Sequence, residues 1–170
     1  PRRIMLAAGA FLSVQVTFYI LIAFVIAYGL NSPSVELTRD EMLTSVLIAA
    51  AAMIPALFYF SGMSDRVGRK QIYRWGAILT GAWGFALFPL IDTGSPLLIT
   101  LAVTVGMIFL GMQYGPQAAY FTELFSTEVR YSGASLGYQI GAILGGALAP
   151  TIAVLLWNEL GIFYVSFYIL

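Results

Sequence analysis

Five stretches of this chain run for about twenty residues with almost no ionic side chain. They cover approximately 5–30, 42–61, 73–91, 97–120 and 133–157, and only Arg74, near the start of the third, interrupts them. A helix rises about 1.5 Å per residue, so about twenty apolar residues cross a hydrocarbon layer about 30 Å thick. A sixth apolar stretch, 160–170, is too short for a full crossing. Hydrophobic residues make up 60% of the chain and charged residues 9%, against about 45–50% and about 25% in ordinary soluble domains. These features predict an all-α membrane protein, read as a single transmembrane domain over 1–170.

The charges are gathered where the apolar stretches meet. Asp65, Arg66, Arg69, Lys70 and Arg74 crowd one connection, expected as a loop over 62–72, and Glu123, Glu128 and Arg130 fall in another over 121–132. An ion at the bilayer centre costs about 2.5–3.5 kcal/mol on insertion scales, so such residues collect at the rims. Arg2, Arg3, Arg66, Arg69, Lys70, Arg74 and Arg130 would share one side, leaving Arg39 alone on the other. The positive-inside rule makes the crowded side cytoplasmic, together with the start of the chain. The chain belongs, on this reading, in a cell (inner) membrane, crosses it several times, and is a fragment of something longer with the lipid bilayer as a partner.

Several function classes are disfavoured at once. A net charge of zero gives no reason to expect nucleic acid as a partner. Cysteine and histidine are both absent, which removes thiol chemistry and most proton-shuttling and metal-binding arrangements. No cofactor and no metal site is expected. Gly133-Ala134-Ser135-Leu136-Gly137 fits the G-x-S-x-G pattern of serine hydrolases, but without a histidine base the match carries no chemistry. A membrane enzyme is therefore the weakest reading.

Polar residues inside the spans are the candidates for contact with a solute. Gln15 and Tyr19 are four apart and share a face of the first helix. Gln113, Tyr114 and Gln117 surround Pro116 in the fourth, where a backbone donor is lost, and Gln139 lies in the fifth. Such groups are wasteful against lipid, so they point either to a water-filled cavity or to a neighbouring helix. Gly133, Gly137, Gly141 and Gly145 recur at four-residue steps, a smooth stripe for close helix packing or for one helix moving on another. Every acid lies near a span end, leaving none placed to bind a proton in mid-membrane.

The run Asp65-Arg66-Val67-Gly68-Arg69-Lys70 between two apolar segments resembles the signature loop of the major facilitator superfamily of transporters, with Ser61 where that family usually has glycine. The run from Glu123 through Leu124, Phe125, Thr127 and Arg130 is similar to the segment that follows the tenth helix in that family. The continuation through Gly133–Gln139 and Gly145–Pro150 resembles its metabolite:proton symporter branch. The resemblance implies helices seven to twelve of a twelve-helix transporter, the last one truncated, with the N-terminal half as partner. It implies a secondary active transporter that moves a small polar organic solute, such as an organic acid or osmolyte, by alternating access with a proton as coupling ion. It also implies that Asp65, Arg66, Gly68, Arg69, Lys70, Glu123 and Arg130 bias the conformational equilibrium. The first and fourth helices would line the cavity. Alternatives left open are a facilitator, a sugar-porter-like transporter, or a non-transporting receptor or scaffold on the same fold.

Overall fold

The computed structural model describes residues 2–123 and 130–170, leaving aside the side chains of residues 2–4, 6, 130 and 131. Among the described residues there is no strand. The first helix consists of two α segments, Arg2–Tyr19 and Val25–Asn31, joined by a π turn at Ile20–Phe24. The second is Arg39–Val67, the third Arg69–Ile91 and the fourth Pro96–Glu123. The fifth joins Arg130–Gly141 to Ala149–Leu160 through a π segment, Ala142–Ala147. A short sixth, Ile162–Ile169, follows a break at Gly161. Five of these are long and apolar enough to cross a membrane, which makes the chain a multi-pass, all-α membrane protein.

The helices outrun the apolar windows that predict them. The second has 29 residues, about 44 Å at 1.5 Å each, enough to carry its charged last turn into the headgroup layer. Residues 62–72, expected as a loop, are helical except at Gly68. A charged side chain ends an apolar window but need not end a helix, because long side chains reach the interface from helical backbone. What ends this helix is Gly68, whose φ of 108° favours glycine. In the expected loop 121–132, helix continues to Glu123 and resumes at Arg130; residues 124–129 lie outside the described residues. At the opposite end, Thr38 and Glu41 form the capping box that opens the second helix.

Lipid offers no hydrophobic force between helices, so their contact relies on close packing and hydrogen bonds. Small residues supply the first. A Cβ on Gly111 would lie 3.3 Å from Ala56 Cβ, and one on Gly115 would lie 2.9 Å from Leu57 O, so the second and fourth helices nearly touch backbones. Gly137, Gly141 and Gly145 do the same for the fifth helix against Ala7, Phe11 and Leu12 of the first. Hydrogen bonds supply the second. Trp83 Nε1 donates to Ala102 O at 2.8 Å, Tyr73 OH to Ala10 O at 2.7 Å, and Ser166 Oγ to Gly84 O at 2.8 Å. The outward surface stays greasy, with Leu47, Phe58, Tyr59 and Leu97 all strongly exposed. Such a surface suits lipid or another packed domain.

Candidate functional site

At the basic end, one arginine joins three helix ends. Asp65 is in the last turn of the second helix and Arg69 in the first turn of the third, four residues apart across Gly68. Arg69 Nη2 and Nε donate to Asp65 Oδ1 at 3.0 and 3.3 Å. Arg69 Nη1 bonds Glu123, the last residue of the fourth helix. The planar fork of a guanidinium suits this double engagement, which a lysine ammonium cannot reproduce. All three side chains remain partly exposed, so water screens the bridge and makes it readily broken and remade.

The other charged residues at this end are placed differently. Arg66 faces away from the bridge, beside Tyr59, Gly62 and Met63. Lys70 lines a cleft with Arg74 and Tyr120. The side chain of Arg130 lies outside the described residues.

The polar residues of the spans divide between contacts with neighbouring helices and exposed surface. Gln113 is wholly buried, and its Nε2 donates to Thr80 Oγ1 of the third helix at 3.0 Å. A Cβ on Gly76 would press against its side chain, so Gln113 is a strut between the third and fourth helices. Gln139 is also displaced. It lies two residues past Gly137, about 200° around the helix, whereas Gly137 faces the first helix; Gln139 is exposed on the far side. Gln15 and Gln117 are almost fully buried, Gln15 beside Gly145.

Tyr19 and Tyr114 do share a surface. Phe18 lies 5.6 Å from Tyr19 and 6.5 Å from Tyr114 between ring centroids. Tyr114 is 37% exposed, and Tyr138 packs edge-on against Phe11 at 5.1 Å. Neither Phe18, next to Tyr19 in the first helix, nor Tyr138 in the fifth is among the sequence candidates, because a single aromatic in an apolar span reads as lipid-facing surface. Among the described residues, the wall formed by Phe18, Tyr19, Tyr114 and Tyr138 carries phenols and no cation.

Two features sit deeper. A void of only about 10 Å³ lies among Thr17, Thr80, Trp83 and Gly106, room for no more than one water, which excludes it as a solute site. Tyr19 immediately precedes the π turn of the first helix, and its ring covers Gly146 in the π segment of the fifth. Interruptions of this kind recur at functional sites.

Similarity to known proteins agrees with this architecture. The inner membrane metabolite transport protein YhjE of Escherichia coli is 32% identical over 166 residues, covering 93% of this chain and 37% of that protein. The shikimate transporter of the same organism is 27% identical over 173 residues, covering 93% and 39%. The cis,cis-muconate transport protein of Acinetobacter baylyi is 36% identical over 133 residues, covering 72% and 30%. The chain belongs to the major facilitator superfamily. It spans little more than a third of the curated relatives it matches. Those relatives are named as transport proteins. No family model matches it, and no solved structure does.

Proposed function

We propose that this chain is the C-terminal half of a secondary active transporter in the inner membrane. It would move a small polar organic solute by alternating access, coupled to a proton. The observation that carries this reading is the Arg69 bridge, which ties the ends of the second and fourth helices across a one-residue glycine break. Contacts of this kind, made in one conformation and lost in the other, bias an inward/outward equilibrium. Asp65, Arg69 and Glu123 form the gate element on this reading. Gly68 is its pivot, and Arg66, Lys70 and Arg130 supply the surrounding positive field at a cytoplasmic rim.

The solute would lie against Tyr19, Tyr114 and Tyr138, between this domain and an N-terminal half. The described Lys and Arg side chains all belong to helix-end segments, so this wall favours a neutral or zwitterionic solute, or an anion whose cationic partner comes from the other half. The same reasoning assigns the proton-binding carboxylate to the other half. The relatives named for shikimate and muconate transport make small organic acids the first solutes to try.

The test is uptake by the full-length protein in proteoliposomes under an imposed pH gradient, with shikimate, muconate, proline and a hexose offered in turn. The reading expects gradient-dependent accumulation of at least one of the first three, and slowed uptake by Asp65→Asn. Accumulation of the hexose alone, or equal rates with and without the gradient, would overturn it.

A further inference from the structure

The basic end holds more positive charge than its bridge requires. A cleft of about 540 Å³ opens between the start of the third helix and the end of the fourth, with Arg69, Lys70, Gln71, Arg74, Tyr120 and Glu123 on its walls. That volume suits a small-molecule group. One Arg69 guanidinium faces two carboxylates, Asp65 and Glu123, so the bridge carries one negative charge in all. Lys70 and Arg74 outweigh it and leave the cluster one charge positive. Among the described residues neither has a carboxylate partner, and both are exposed.

Their position makes that excess costly. Both lie in the first two turns of a 23-residue helix, and Lys70 is in the first, where the backbone dipole is already positive and an anion, not a cation, is stabilising. Lys70, Arg74 and Ile78 follow at four-residue steps and so share one face. Beside them Trp75 is 46% and Ile78 49% exposed. Reading inward from the helix start, this surface presents two cations, then an indole of the kind that settles at headgroup depth, then aliphatic surface. That is the profile of a phospholipid, polar head first.

We propose that this cleft binds the headgroup of an anionic phospholipid. Lys70 and Arg74 hold the phosphate, the Tyr120 phenol borders it, and an acyl chain runs along Trp75 and Ile78. Basic pockets at membrane interfaces are suited to such headgroups. Lys70 and Arg74 make no bond in the Asp65–Arg69–Glu123 bridge, so loss of lipid retention and loss of gating are separate outcomes.

The full-length transporter in nanodiscs tests it. Adding phosphatidylglycerol to phosphatidylcholine discs is expected to raise the unfolding temperature by several degrees. The Lys70→Gln/Arg74→Gln variant is expected to lose at least half of that rise, and the charge-preserving Lys70→Arg/Arg74→Lys variant to keep it. Native mass spectrometry, which does not depend on relative stability, should count one fewer retained phosphatidylglycerol on the double glutamine variant. Equal lipid retention by the wild type and that variant would overturn the proposal. So would an equal thermal rise from inorganic phosphate in pure phosphatidylcholine discs, which would make the ligand a soluble anion.

Discussion

Gly141 of the fifth helix stands so close to Phe11 of the first that a Cβ on Gly141 would lie 2.5 Å from Phe11 Cβ and 3.0 Å from Leu12 N. Neither neighbour is the free end of a flexible side chain, so alanine can enter only by parting the helices. Overpacking of this kind costs about 1–3 kcal/mol, more than the roughly 1 kcal/mol that Gly→Ala gains in helix propensity. Gly137→Ala comes closest to Ala7 Cβ, at 3.1 Å, with its next neighbour at 3.6 Å, and Gly9→Ala meets nothing within 4 Å. Unfolding temperatures of the full-length protein in detergent should rank Gly9→Ala highest, then Gly137→Ala, then Gly141→Ala. A Gly141→Ala protein as stable as wild type would show that the seam is not tight.

The bridge at the basic end makes a kinetic prediction. Asp65→Asn keeps an oxygen that can accept from Arg69 but removes the carboxylate charge of the pair, at a partly exposed site, so membrane insertion should be unaffected while uptake slows about tenfold or more. Arg69→Lys should behave alike, since one ammonium cannot grip Asp65 and Glu123 in the same fork geometry. Gly68→Ala tests the pivot: its φ of 108° with no side chain nearby makes the cost purely conformational, about 1–3 kcal/mol. Uptake by Asp65→Asn at the wild-type rate in reconstituted vesicles would end the gating reading.

How far the sequence foretold all this depends on which force set each feature. The spans were legible because lipid forbids ionic residues for about twenty positions at a time. The ends of the second and third helices were not, because charge marks the headgroup layer while Gly68 marks the break. The glycine stripe was visible from its spacing, which is also the physical cause of the close approach. The orientation of Gln113 was hidden: the fourth helix is apolar on nearly all sides, so no polar face reveals which flank meets the third helix. The π segments at Ile20–Phe24 and Ala142–Ala147 have no composition of their own. The second lies where the fifth helix packs on the first, with Gly145 against Leu12 and Gly146 against Tyr19, a contact that no local window contains.

At the end opposite the bridge, Asp92 Oδ1 accepts from Tyr28 OH at 2.7 Å, Ser32 Oγ at 3.2 Å and Ser34 Oγ at 3.3 Å. One carboxylate oxygen thus ties the end of the first helix to the turn after the third. Tyr28→Phe removes one donor and leaves two, so it should cost about 1 kcal/mol, whereas Asp92→Ala takes the shared acceptor from all three hydroxyls, leaving Ser32 and Ser34 only their mutual bond at 3.0 Å, and should cost about 2–3 kcal/mol. Thermal unfolding of both variants checks the order. Equal losses would mean that the tyrosine alone does the tying.

The buried pair Gln113 and Thr80 gives the sharpest energetic test. Gln113 Nε2 has one partner, Thr80 Oγ1, and its Oε1 has none among the described residues. Thr80→Val removes that partner and leaves the amide stranded among apolar neighbours, a loss of about 1–3 kcal/mol. Hydrogen bonds between membrane helices often contribute less, about 0.6 kcal/mol on average, because partners are also available in the unfolded state within the bilayer. The two magnitudes separate under a double-mutant cycle. If the stranded amide is what matters, adding Gln113→Leu to Thr80→Val should recover most of the loss, because removing both polar groups together can be nearly neutral. If the bond itself is what matters, Gln113→Leu alone should cost as much as Thr80→Val, and the double variant should cost no less than either. Unfolding of the three variants in one detergent decides between them, and a fully buried Gln113 with an unpartnered oxygen favours recovery.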